Sequence, residues 1–99
     1  MKTIYIKNYL ETSREEKLNF FKFLENSNGL SVSRQRVIFA ENSLLLDFDK
    51  DTNIQEAKKN IESFFKRIHN VSVYTVNQII QNKDNLTLEF DNKKLRVER

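Results

Sequence analysis

Cysteine, proline and tryptophan are absent from this chain, Gly29 is its only glycine, and His69 is its only histidine. Without a thiol there is no disulfide framework, no thiolate metal site and no sulfur nucleophile, a composition that suits a reducing compartment. Long apolar runs are missing too. The longest, such as Val37 to Ala40 and Leu44 to Leu46, fall far short of the ~20 residues a membrane helix needs. Lys2 and Lys7 are followed by no apolar segment of the signal-peptide kind. The expectation is a soluble, cytoplasmic protein with no membrane partner. A basic stripe is also lacking: the net charge of +3 permits an anionic partner without demanding one.

What remains is a core-forming sequence. Ninety-nine residues, 38% apolar and 31% charged, make one globular domain with a single core. Eight phenylalanines and three tyrosines supply most of its apolar bulk. The segment Lys2 to Asn8 alternates, with Ile4 and Ile6 on one face and Thr3, Tyr5 and Lys7 on the other, which predicts a half-buried strand. Ser13-Arg-Glu-Glu16 has the form of a capping box. The helix it opens carries Leu18, Phe21 and Leu24 at helical spacing, with Phe20 and Phe23 widening the stripe, and it ends at Asn28-Gly29. Val32 to Phe39 and Ser43 to Phe48 read as an antiparallel hairpin closed by Ala40-Glu-Asn42, with Leu44, Leu46 and Phe48 facing opposite to Leu45 and Asp47.

A second helix begins near Thr52-Asn-Ile-Gln55, presents Ile54, Ala57, Ile61, Phe64, Phe65 and Ile68 as one stripe, and closes at Asn70. Phe21, Ile61 and Phe64 are expected core residues. Val71 to Val76 reads as a fourth strand. Leu86, Leu88 and Phe90, a turn at Asp91-Asn-Lys93, then Leu95 and Val97 form a final amphipathic hairpin. The expected fold class is α+β: a ferredoxin-like βαββαβ core over residues 1–78, two helices on one face of a four-stranded antiparallel sheet, with a C-terminal β-hairpin over 84–98. Both parts belong to one domain spanning residues 1–99.

Residues 2–68 resemble the heavy-metal-associated domain family, through Thr3-Ile-Tyr-Ile6, Leu18, Asn28-Gly-Leu-Ser-Val32, Ser43 to Phe48, and Ile54 to Ile61. The resemblance implies the fold. Members of that family hold a soft metal such as Cu(I) with two cysteines in the loop after the first strand, where this chain has Glu11 and Arg14, so metal binding is not implied. The first strand, Thr3-Ile-Tyr-Ile-Lys-Asn-Tyr9, is also similar to one motif of RNA-recognition domains. In those, an aromatic at the position of Tyr5 stacks on a base. The companion motif is missing from Ser43 to Phe48, which has neither glycine nor a basic residue.

Chemistry-bearing clusters are few. Asp47, Asp49, Asp51 and Asn53 have the alternation of a calcium loop, but Thr52 and Lys58 occupy the positions of its glycine and bidentate glutamate. A strand end and a helix N-terminus account for these acids. His69 falls near a helix C-terminus with no partner, and Glu11, Glu15 and Glu16 lie around a first helical turn, so no catalytic residue is assigned. Lys58, Lys59, Lys66 and Arg67 lie off the apolar stripe, as a solvated face requires.

The remaining candidate surface is Tyr5, Lys7, Arg34, Arg36 and Tyr74, which the expected topology gathers on the sheet face away from the helices. Left open, that face is an aromatic-basic platform for single-stranded nucleic acid. The spare apolar face of the C-terminal hairpin offers a cover for it instead, and the covered reading is preferred. The expected function is a non-enzymatic module for protein–protein contact, as adaptor, regulator or inhibitor, without a cofactor. Single-stranded nucleic-acid binding is the alternative. A homodimer through an edge strand or the final hairpin stays open.

Titration with Cu(I), Zn²⁺ and Ca²⁺ by calorimetry should show no stoichiometric site tighter than ~10 μM. A tighter site would restore the metal reading.

Overall fold

The alternating segment at the start of the chain becomes the central strand of the molecule. A computed structural model describes residues 2–26, 31–68 and 70–98. Strand β1 (Lys2–Lys7) leads through a short 3₁₀ turn into helix α1 (Arg14–Asn26). Strands β2 (Val32–Ile38) and β3 (Ser43–Phe48), helix α2 (Ile54–Phe64) and strand β4 (Ser72–Val76) follow. The four strands form one antiparallel sheet in the order β2-β3-β1-β4. Three further strands, β5 (Gln78–Gln81), β6 (Asn85–Phe90) and β7 (Lys93–Glu98), make a second antiparallel sheet. The α+β class holds. The C-terminal addition is larger than the expected hairpin, because Gln78-Ile-Ile-Gln81 pairs with β6 as a third strand.

One face of the first sheet packs against the helices. Ile4, Ile6, Leu44, Leu46, Phe48 and Val73 meet Phe20, Leu24, Ala57, Ile61 and Phe65 there. Phe20 is the hub, with ring centroids of Phe65, Phe64, Tyr9 and Phe23 at 4.9, 5.3, 5.6 and 6.1 Å. The stripe predicted for α1 is rotated: Leu18 and Phe21 are exposed, Phe21 by 48%, whereas Phe20 and Leu24 are buried. Ser13 caps the start of the helix. Its hydroxyl accepts from the Glu16 N–H at 3.1 Å, and its own N–H donates to Glu16 Oε1 at 2.7 Å. Positions 20 and 24, one turn apart, share the face that packs on the sheet and α2, and 18 and 21 do not. The same backbone donor holds the Glu16 carboxyl below its ordinary pKa.

Helix α2 keeps its predicted stripe: Ala57, Ile61 and Phe65 are buried, and Ile54, Phe64 and Ile68 pack on at the margin. Phe64 is therefore a border residue rather than a fully buried one. The N-cap is Asn53, one residue later than expected, and its side chain accepts from the Glu56 N–H at 3.2 Å. The helix ends at Phe64, earlier than Asn70. The expected stop at Asn28-Gly29 and the placement of His69 fall outside the described residues.

Asparagine does much of the turning. Asn8, Asn42, Asn70, Asp91 and Asn92 all have positive φ, and asparagine and aspartate tolerate this region best after glycine. Asp91 and Asn92, with φ of 47° and 62°, lie between the paired residues Phe90 and Lys93. That is a two-residue loop with both central residues left-handed, the turn whose twist matches its strands.

Phe20→Ala should cost about 3–5 kcal/mol in a denaturant titration, and Phe21→Ala less than ~1.5 kcal/mol. Equal losses would return Phe21 to the core.

Candidate binding cleft

Strand register fixes what faces the second sheet. On that side of the first sheet, Arg34 lies opposite Asp47, Asp47 opposite Thr3, and Thr3 opposite Val76. The next row runs Arg36, Leu45, Tyr5, Tyr74. The sequence-derived surface thus does share one face, but the face is covered. Tyr5, Leu45, Val76 and Ile38 are buried against Leu86, Leu88, Phe90 and Val97 of the second sheet. Tyr5 is only 1% exposed, with the rings of Tyr74 and Phe90 at 6.1 and 5.5 Å and its hydroxyl 3.1 Å from Ser43 Oγ. Burial raises its pKa, as it does that of Tyr9 in the other core.

Tyr5 and Tyr74 therefore form a seam between two sheets, and no base can stack on Tyr5 in this arrangement. Lys7 lies at the end of the seam beside Glu41 and Lys93. The face is closed over Tyr5, as in the covered reading preferred from the sequence, and the alternative of an open platform of Tyr5, Lys7, Arg34, Arg36 and Tyr74 is not present as such.

The two arginines fare differently. The second sheet covers β4, β1 and β3 and, on the edge strand β2, buries Ile38 but leaves Arg34 exposed and Arg36 partly so. Gln81, Leu86 and Val97, at strand ends, overhang Arg34, Arg36 and Ile38. Two confluent cavities, about 420 and 820 Å³, share Arg34, Arg36 and Gln81. The smaller reaches inward to Thr3, Asp47 and Val76, with Gln78 and Ile79 of β5 above. The larger is apolar and opens past Val37 and Phe39. Phe39 is 79% exposed and Val37 44%, an uncommon display beside a cleft.

At the inner end lies a polar cluster that the sequence did not announce. Asp47 lies near the end of its strand, as expected, and is fully buried. Its Oδ1 accepts from the Thr3 hydroxyl at 2.7 Å and from Arg36 Nη2 at 3.0 Å. Asp47 Oδ2 and Arg36 Nε are shielded from solvent and have no hydrogen-bond partner. Arg34, directly opposite Asp47, forms no salt bridge among the described residues. The alternation of Leu45 and Asp47 marked the face, but nothing local in the sequence signalled that a carboxylate would be buried there. The cross-strand arginines were the available clue.

No group of three or more histidine or acidic residues placed to hold a metal occurs among the described residues, and none of their helices is long and apolar enough to cross a membrane. Comparison with protein-family models, curated proteins and solved structures finds no match.

Removing one member of a buried ion pair strands the other. Asp47→Ala should therefore cost about 3–5 kcal/mol. The joint variant Thr3→Val, Arg36→Met, Asp47→Leu should recover to within ~2 kcal/mol of the parent, because it removes all three polar partners together. Additive losses in thermal or denaturant unfolding would show that the cluster is not coupled.

Proposed function

We propose that this chain is a small binding module without chemistry of its own, which engages a protein partner along the edge strand β2 and the cleft above it. The carrying observation is that, among the described residues, no strand pairs with the outer side of β2, while two exposed apolar residues, Val37 and Phe39, flank a cleft of about 820 Å³ at that edge. An unpaired edge offers backbone hydrogen bonds, and a cleft beside it offers side-chain specificity, the combination used in strand addition. Phe21 adds an apolar contact on the helix side of the same strand, next to Val32 and Gln35.

The first four strands and two helices are read as a ferredoxin-like unit. The order β2-β3-β1-β4 supports that reading, as does the resemblance to the heavy-metal-associated family. The second sheet is its lid. A cytoplasmic setting belongs to the same proposal, since a chain without cysteine takes no stability from an oxidising compartment.

The nucleic-acid alternative loses its stacking group to the seam and keeps only the two arginines, which supply charge without a platform. Single-stranded DNA and RNA should then bind only in the nonspecific range, roughly 1–100 μM, with a steep salt dependence. Sub-micromolar binding in fluorescence anisotropy would promote the alternative. For the protein reading, peptides selected from a displayed random ten-residue library should protect amides of β2 in hydrogen exchange. Binders that seat elsewhere would overturn it.

A further inference from the structure

The cleft is electrostatically lopsided. Its lining holds two arginines and one carboxylate, and that carboxylate is committed to Arg36 and Thr3 through Oδ1. One positive charge is left over, and it belongs to Arg34, which is exposed and outside every ion pair among the described residues. Past the arginines the lining turns apolar, with Ile38 and Leu45 below and Leu86 and Val97 above. An occupant that fits both ends carries a negative group at one point and an apolar group beside it.

Resting on the protein-binding reading above, we infer that the cleft takes an extended acidic-apolar segment of a partner protein, its Asp or Glu side chain on Arg34 and a neighbouring apolar side chain under Leu86 and Val97.

Two observations separate this occupant from others. A second copy of the chain is disfavoured by the sequence of the edge itself. If Val32–Ile38 paired antiparallel with its own copy about Gln35, Arg34 would face the copy's Arg36 and Arg36 its Arg34, all on one sheet face. Like charges directly opposite destabilise a strand pair. A simple amphipathic acid is disfavoured by the inner end of the cleft. Asp47 Oδ2 lacks a donor and Arg36 Nε lacks an acceptor, so that end calls for a group offering both an N–H and a C=O. A peptide backbone carries the two together, whereas an ionised carboxylic acid with a hydrocarbon tail can accept from Arg36 Nε but has no donor for Asp47 Oδ2. Both atoms are shielded in this arrangement, so a ligand reaches them only if the Arg36 side chain, 16% exposed, changes rotamer.

Charge complementarity of this kind selects partners more than it adds raw affinity. The arginine guanidinium suits the role, because its planar fork grips a carboxylate at two points.

The test uses the displayed random ten-residue library against the full chain, with binders mapped by hydrogen exchange. Peptides seated on β2 should be enriched in Asp or Glu next to an apolar residue. Arg34→Glu sets a like charge opposite Asp47 and should lower the melting temperature modestly, while the folded variant should bind those peptides about tenfold or more weakly. Replacing the peptide acid by Lys should restore binding to that variant, and Arg34→Lys should lose less than Arg34→Glu. Enrichment of basic or uncharged peptides that still protect β2 would sink the acidic inference and leave the protein-binding reading standing. Binders that protect other segments, or no enrichment, would sink both. Doubling of mass in sedimentation, with β2 amides protected in the doubled species, would give the site to a second copy and overturn the inference. Competition of selected peptides by millimolar octanoate would give it to a simple acid.

Discussion

The arrangement of this molecule depends on β1 being apolar on both faces. Ile4 and Ile6 enter the helix-side core, while Tyr5 enters the second one. A strand with only one apolar face can lie between a helical layer and water. One that sends a tyrosine ring to the opposite side, next to Leu45 of β3 and Tyr74 of β4, cannot leave that face wet without exposing a contiguous apolar patch. A third layer is therefore required. The chain supplies it by continuing straight from β4 through Asn77 into β5, and the Asn77 N–H donates to the Glu89 carbonyl at 2.7 Å to join the two sheets. The C-terminal sheet is a structural consequence of β1 rather than an appendage.

Covering is incomplete, and this relocates the chemistry. The strands of the second sheet bury the aromatic seam over β4, β1 and β3, while over β2 only Gln81, Leu86 and Val97 reach Arg34, Arg36 and Ile38. What would have been a flat basic platform is converted into a wedge: aromatic residues closed inside, arginines at the opening. Asp47 joins the two regions, since it faces the second sheet like Leu45 but lies next to Thr3 on one side and across from Arg34 on the other. Its burial is tolerable because Thr3 and Arg36 both donate to it.

Much of this was legible from periodicity. The strands at residues 2–8 and 43–48, the Ser13–Glu16 box and the stripe of α2 appear where the spacing puts them, although the first strand, expected half-buried, is buried on both faces, as is the second. The failures have identifiable causes. In α1, three phenylalanines and two leucines cover so much of the circumference that composition could not choose between Phe20 and Phe21; packing against the sheet, Phe64 and Phe65 selects Phe20. The strand Gln78-Ile-Ile-Gln81 has no alternation to recognise, and pairing with β6 decides it. The twelve asparagines had no meaning until backbone angles were assigned. With glycine nearly absent, asparagine takes most of the left-handed positions that tight turns demand.

The candidate site was half legible for a related reason. Register arguments place side chains on the correct face, and they brought Arg34, Arg36, Tyr5 and Tyr74 together correctly. They do not say how far a covering layer extends, since that depends on where β5 and β7 end and on how the second sheet crosses the first. The boundary falls between Leu45 and Arg36, neighbours across one strand pair, so a single step in the row separates buried seam from open cleft. Charge follows the same line. An arginine on an edge strand keeps its head in water and its stem on the sheet, and it blunts pairing with a like-charged edge. The residues that protect β2 from its own copy are thus the ones that make it selective for an opposite charge.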